Sequence, residues 1–173
     1  MCQNTKATHL NQNKCMEKHD INTIYAQYQE FINSNCTGLK EEVELIIRQK
    51  RLSSIMNDAK WLKLQTAILS ITGFKPAYSV QLLTDEIEYL PVFGKVPTYL
   101  GDWELLYENW EYALPPFFNI KWMAIQPLFE IYRGRLVKPE IIDKSDILLD
   151  ILHQCHIPFE KEDEHTFVIY GYK

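Results

Sequence analysis

The apolar residues of this chain change period at Gly73, and that change limits the possible folds more than any other feature. Before it they recur at helical spacing; after it they alternate with polar neighbours, as strands require. Ile21, Ile24, Tyr25, Tyr28, Phe31 and Ile32 mark a helix from Ile21 to Asn33, ended by Cys36-Thr37-Gly38. A second run (Leu39, Val43, Leu45, Ile46, Ile47 and Leu52) predicts a helix ending around Met56. Asn57-Asp58 supplies the N-cap of a third helix, whose stripe of Trp61, Leu62, Leu64, Ile68, Leu69 and Ile71 is closed by Gly73.

Strands are then expected at Tyr78–Leu82, at Glu88–Phe93, at Asn119–Ile125 and at Phe129–Val137, the last with a turn or bulge at Gly134. Ser145-Asp146 opens one late helix that ends before Pro158. The terminus reads as a β-hairpin: Pro158–Lys161, a polar turn at Glu162–His165, then Thr166–Tyr172. Helices first and strands later imply an α+β fold: N-terminal helices, an antiparallel sheet, one late helix and a C-terminal β-hairpin. The expected division is a helical extension over 1–58, with 1–20 loose, and an α+β domain over 59–173.

Composition excludes several classes. With 46% apolar residues among 173, the chain has enough material for a core, so disordered and collagen-like classes are ruled out. The apolar runs are too short to span a bilayer, and Met1–Asp20 lacks the apolar stretch of a secretory signal. A cytoplasmic protein without membrane contact is the expectation. Cys2, Cys15, Cys36 and Cys155 are scattered with no C-x-x-C spacing, which reads as reduced thiols. The net charge of −5 is uneven: residues 1–58 carry seven cations and seven anions, whereas residues 59–173 carry eleven and sixteen. No strongly basic face exists, which argues against direct binding of nucleic acid.

Catalytic signals are sparse. His153 and His156 share a helix face beside Cys155, and Cys15 with His19 would supply further metal ligands. Nothing in the sequence brings those segments together, and histidine suits a helix C-terminus on dipole grounds alone, so neither metal nor cofactor is expected. No nucleophile elbow, P-loop or dinucleotide fingerprint occurs. Asp102, Glu104, Glu140 and Asp143 would serve a carboxylate-dependent hydrolytic enzyme if they faced one cleft; the competing reading is solvated surface ion pairs.

The most informative segment is Tyr99–Leu114. It carries Asp102, Glu104, Glu108 and Glu111, and no Lys or Arg occurs between Lys95 and Lys121. Interleaved are Tyr99, Trp103, Tyr107, Trp110 and Tyr112. As a helix, Trp103, Leu106, Tyr107 and Trp110 share one face, which suits an amphipathic helix packing aromatics into the core. Aromatic anchors beside carboxylates also suit a face for a basic partner, where the acids steer and the rings bury area. On that reading Asp102, Trp103, Glu104, Tyr107, Glu108, Trp110, Glu111 and Tyr112 are the partner-binding residues.

Lys60-Trp61-x-x-Leu64, Gly101-Asp102-Trp103-Glu104, Ile120-Lys121-Trp122, Arg133-Gly134-Arg135-Leu136-Val137 and Ile169-Tyr170-Gly171-Tyr172 carry a resemblance. Through them residues 59–173 resemble a bacterial family of small uncharacterised domains, similar to the immunity proteins of polymorphic toxin systems. The resemblance implies no catalytic residues. It implies neutralisation of a cognate toxin by direct contact, with an acidic aromatic surface occluding a basic active site. A dimeric regulatory module, paired through the N-terminal helices, is a further alternative.

Overall fold

The computed structural model describes residues 18–103 and 114–173. Three helices lead: α1 Lys18–Asn35, α2 Thr37–Lys50 and α3 Asp58–Leu69. The Asn57 side chain accepts from the backbone N–H of Lys60 at 2.9 Å, so the expected cap of α3 is present. The second helix stops earlier than its apolar spacing suggests, at Lys50, where Arg51 turns left-handed with φ 53°. Tertiary pairing overrides local pattern here. Ser53 exchanges two backbone bonds with Lys173, and Ile55 donates to the Gly171 carbonyl at 2.8 Å. Residues 53–55 therefore clasp the C-terminus rather than prolong α2.

A four-stranded antiparallel sheet follows, in the order β1 (Ala77–Leu82), β2 (Ile120–Gln126), β6 (Phe167–Tyr170) and β5 (Glu160–Lys161). A separate ribbon pairs β3 (Leu128–Ile131) with β4 (Glu140–Asp143), and α4 (Ser145–Gln154) connects it to β5. The fold is α+β, with helices first, one late helix and a terminal hairpin. That hairpin is fastened at its turn by Asp163, whose carboxylate accepts from His165 N–H, Thr166 N–H and the Thr166 hydroxyl.

Two expected strands differ. Residues 88–93 form no strand among the described residues; Pro91 lacks a donor for a ladder, and the segment crosses the sheet instead. Phe129–Val137 is not one strand either: pairing stops at Ile131, Gly134 adopts φ 122°, and the chain turns back to enter β4. Adjacent Leu136 and Val137, followed by Pro139, break the alternation that one continuous strand would need.

Alternation along β2 gives the sheet two faces. Met123 and Ile125, opposite Ile169 and Phe167, join the main core with α1, α3 and α4. Trp122 and Ala124, opposite Tyr170 and Val168, form a second, smaller cluster on the reverse face. The first helix belongs to the main core together with α3. Tyr28 and Ile32 are buried in it, the Tyr28 ring stacks on Phe117 at 4.9 Å, and its hydroxyl accepts from Phe117 N–H at 3.0 Å. Packing thus runs without interruption across residue 58. Cys36 and Cys155 are buried thiols that form no disulfide among the described residues, and Cys2 and Cys15 lie outside those residues. Among the described residues no helix is long and apolar enough to cross a membrane.

Candidate functional site

The reverse face of the sheet is covered by a strap, residues 83–101, that is irregular throughout. Two prolines, Pro91 and Pro97, and Gly94 within it exclude helix and ladder alike, so its backbone polar groups must find side-chain or solvent partners. Gln81, 1% exposed on β1, meets that need. Its Nε2 donates to the Ile87 carbonyl at 2.9 Å and to Asp85 Oδ2 at 3.0 Å, while its Oε1 accepts from Tyr89 N–H at 2.7 Å. Asp85 in turn accepts from Leu82 N–H, and Asn119 Nδ2 donates to the Thr84 hydroxyl. Phe93 plugs the strap onto Trp122, Ala124 and Val168. Lys121 reaches out to Glu88 and holds that carboxyl below the ordinary range, by hydrogen bond and by charge.

The far end of the strap is fixed as tightly. Gly101 N–H donates to the Lys75 carbonyl at 3.1 Å. A Cβ on Gly101 would lie 2.1 Å from the Pro76 carbonyl oxygen, so only glycine allows this approach. The Tyr78 hydroxyl, pushed up to about 12 by burial and by the nearby Asp102 charge, stays protonated and donates to the Asp102 carbonyl at 2.7 Å.

These anchors leave the outer side of the strap unusually apolar. Ile87, Tyr89, Leu90, Val92, Tyr99 and Leu100 are all exposed, Leu90 to 78%. The same stretch of sequence is acidic: residues 76–120 contain seven Asp and Glu against one lysine, Lys95. A shallow depression between Ser79, Phe93, Lys95 and Tyr99 opens beside it.

The partner-binding residues expected from sequence separate here. Asp102 is exposed at the end of the strap. Trp103 is 0% exposed: its indole N–H donates to the Pro76 carbonyl at 2.8 Å, and its ring meets Tyr78 edge-on at 4.9 Å. Its carbonyl also accepts from Gln65 Nε2. Trp103 therefore belongs to the core, where it holds Asp102 in place rather than offering its own ring. Glu104, Tyr107, Glu108, Trp110, Glu111 and Tyr112 lie outside the described residues.

Of the carboxylates weighed for catalysis, Glu140 and Asp143 are engaged separately. Glu140 pairs with Arg133 within the ribbon. Asp143, three residues on and hence on the opposite face of β4, accepts from Ser145 N–H at 2.7 Å at the start of α4. Its other oxygen lies 3.2 Å from His165 Nδ1. Burial disfavours the charged form of Asp143, but the Ser145 bonds and the His165 interaction outweigh it, so the carboxyl stays below its ordinary range. The Asp143–His165 contact was not foreseeable from spacing, because a strand end and a hairpin turn meet only in the fold. It links the ribbon to the terminal hairpin.

Among the described residues no group of three His, Cys, Asp or Glu is placed to hold a metal ion. His153 packs on Phe159 at 5.8 Å between ring centroids, and Cys155 is buried in the core. Cys15 and the His19 side chain lie outside the described residues.

Fold and site define an α+β protein that offers an acidic, apolar strap across one sheet face. The chain belongs to a family of unknown function, DUF6678, which matches residues 43–173. The match opens at Val43, inside α2, and so takes in more of the helical region than the motifs beginning at Lys60. No curated protein and no solved structure matches the chain.

Proposed function

We propose that this protein is an immunity-type binding protein of the bacterial cytoplasm that neutralises a cognate toxin by direct contact. The contact surface is the strap together with Asp102 and the acidic segment that follows it. One observation carries the reading: six large apolar side chains stand exposed between Ile87 and Leu100, within a stretch, residues 76–120, that holds seven acids against one lysine. Contiguous exposed apolar surface is uncommon on monomers and marks interaction sites. The rings and aliphatic side chains would supply buried area, and the carboxylates would steer a basic toxin and pair with its Lys and Arg. Inhibition follows from occlusion, with the acids occupying the place of an anionic substrate such as nucleic acid. Trp103 contributes by fixing the end of the strap from within.

The test uses the C-terminal domain of the protein encoded immediately upstream, which this proposal requires to be a toxin. Stoichiometric binding is expected, with an association rate that falls as salt rises. Reversing Glu104, Glu108 and Glu111 to Lys should slow association about tenfold or more at low salt, the lower end of electrostatic steering effects. An unchanged on-rate, or no complex at all, would overturn the reading.

A further inference from the structure

The ribbon β3–β4 ends in a loop unlike the rest of the surface. Tyr132, Leu136 and Val137 are exposed to 74%, 98% and 58%. Residues 131–139 hold three cations, Arg133, Arg135 and Lys138, and no acid. Arg133 is paired with Glu140, while no ion pair engages Arg135 or Lys138 among the described residues. This tip is therefore the chemical complement of the strap: apolar like it, and of opposite charge.

The two surfaces do not cover each other within one molecule, since both are exposed. Their roots lie on different sides of the sheet. Phe129 anchors the ribbon in the main core beside Phe74, whereas Phe93 anchors the strap on the reverse face. With three cations and no acid among residues 131–139, the tip calls for an acidic counterpart. The acidic apolar surface that this chain itself provides is the strap.

We infer that copies of this chain associate head to tail, the β3–β4 tip of one docking on the strap of the next. Leu136 and Tyr132 meet Leu90 and its apolar neighbours, and Arg135 and Lys138 meet Glu86 and Glu88, the exposed carboxylates of the strap. One contact then covers both exposed apolar surfaces. Because the two patches differ, the contact is heterologous and builds rings or open chains rather than a two-fold dimer. A tip this small gives a weak, salt-sensitive association.

The test needs only the full chain and sedimentation or light-scattering mass. Wild type should exceed the monomer mass as concentration rises at low ionic strength, and return to it at high salt. Two variants dissect the contact: Arg135→Glu with Leu136→Ser at the tip, and Glu86→Lys with Leu90→Ser on the strap. All four positions are exposed, and unchanged melting curves establish that the variants fold. Each variant alone should be monomeric. An equimolar mixture retains one intact tip and one intact strap, so it should form a dimer that grows no further. A wild type that stays monomeric into the millimolar range, or a mixture that does not dimerise, overturns the inference. So does a monomeric wild type whose tip binds vesicles of anionic phospholipid. No toxin enters this assay, so its failure is separate from failure of the proposed function.

Discussion

The two faces of the four-stranded sheet are covered by different means. On one, α1, α3 and α4 bring aliphatic and aromatic side chains onto Met123, Ile125, Phe167 and Ile169, all fully buried. On the other, an irregular strap is held mainly by hydrogen bonds, those of the Gln81 amide and of Asn119 to Thr84 among them, with Phe93 as its plug. Apolar burial is non-directional and scales with area, so the helical side supplies most of the folding free energy. The strap contributes few buried side chains and keeps six apolar ones facing outward. A segment tied by hydrogen bonds rather than by packing can present a surface that a packed helix would have to bury.

Trp103 gives the largest expected effect, because it sits where strap and core meet. Trp103→Ala should cost about 3–5 kcal/mol, the range for truncating a buried aromatic residue, measured by denaturant unfolding. A loss below about 1 kcal/mol would place Trp103 outside the core and break the contrast between the faces. Gln81→Ala should cost less, about 1–2 kcal/mol, because the freed Tyr89 N–H and Ile87 carbonyl on the strap can turn to water. Hydrogen exchange sharpens the comparison: Tyr89 should lose protection ahead of global unfolding, while the amides of α3 and α4 keep theirs. Equal loss on both faces would show the strap and core to be one cooperative unit.

The helical side was the more legible in sequence, for physical reasons. A cap such as Asn57 and a stripe such as Trp61–Ile68 act within a few residues, and the terminal hairpin declares itself by its polar turn and flanking alternation. The strap depends on distant partners. Glu88–Phe93 has the composition of a strand, yet Gln81 takes the Tyr89 N–H and the adjoining Ile87 carbonyl, and Pro91 donates none. The early end of α2 reflects pairing of Ser53 and Ile55 with the C-terminus, which no local window contains. Spacing places Trp103 on an aromatic face but cannot say what the face meets. Its burial rests on the Pro76 carbonyl just before β1 and on the Tyr78 ring within it. The acidity of the candidate site, by contrast, was legible at once, because charge needs no geometry to be counted.

The smallest effect tests a structure the two faces share. The β5–β6 hairpin sends Phe167 and Ile169 to the helical side and Val168 and Tyr170 to the strap side, and Asp163 fastens its turn. Partial burial disfavours the Asp163 carboxylate, but the backbone N–H groups of His165 and Thr166, the Thr166 hydroxyl and the His165 charge outweigh it. Its carboxyl therefore lies below the ordinary value of 3.8 in the folded chain. A depressed folded value means the stabilisation is fully present above the unfolded value and is lost as pH falls through the folded one. Asp163→Asn removes the charge at every pH. The variant should be less stable than wild type by a constant amount near neutrality, and the gap should close as pH falls below about 4. The contribution is small because Asp163 is exposed and its charge interactions are screened. Because the hairpin serves both faces, exchange protection should fall on Phe167–Tyr170 alike, without the difference that Gln81→Ala produces. A stability gap that widens in acid would mean Asp163 is not held ionised by its turn.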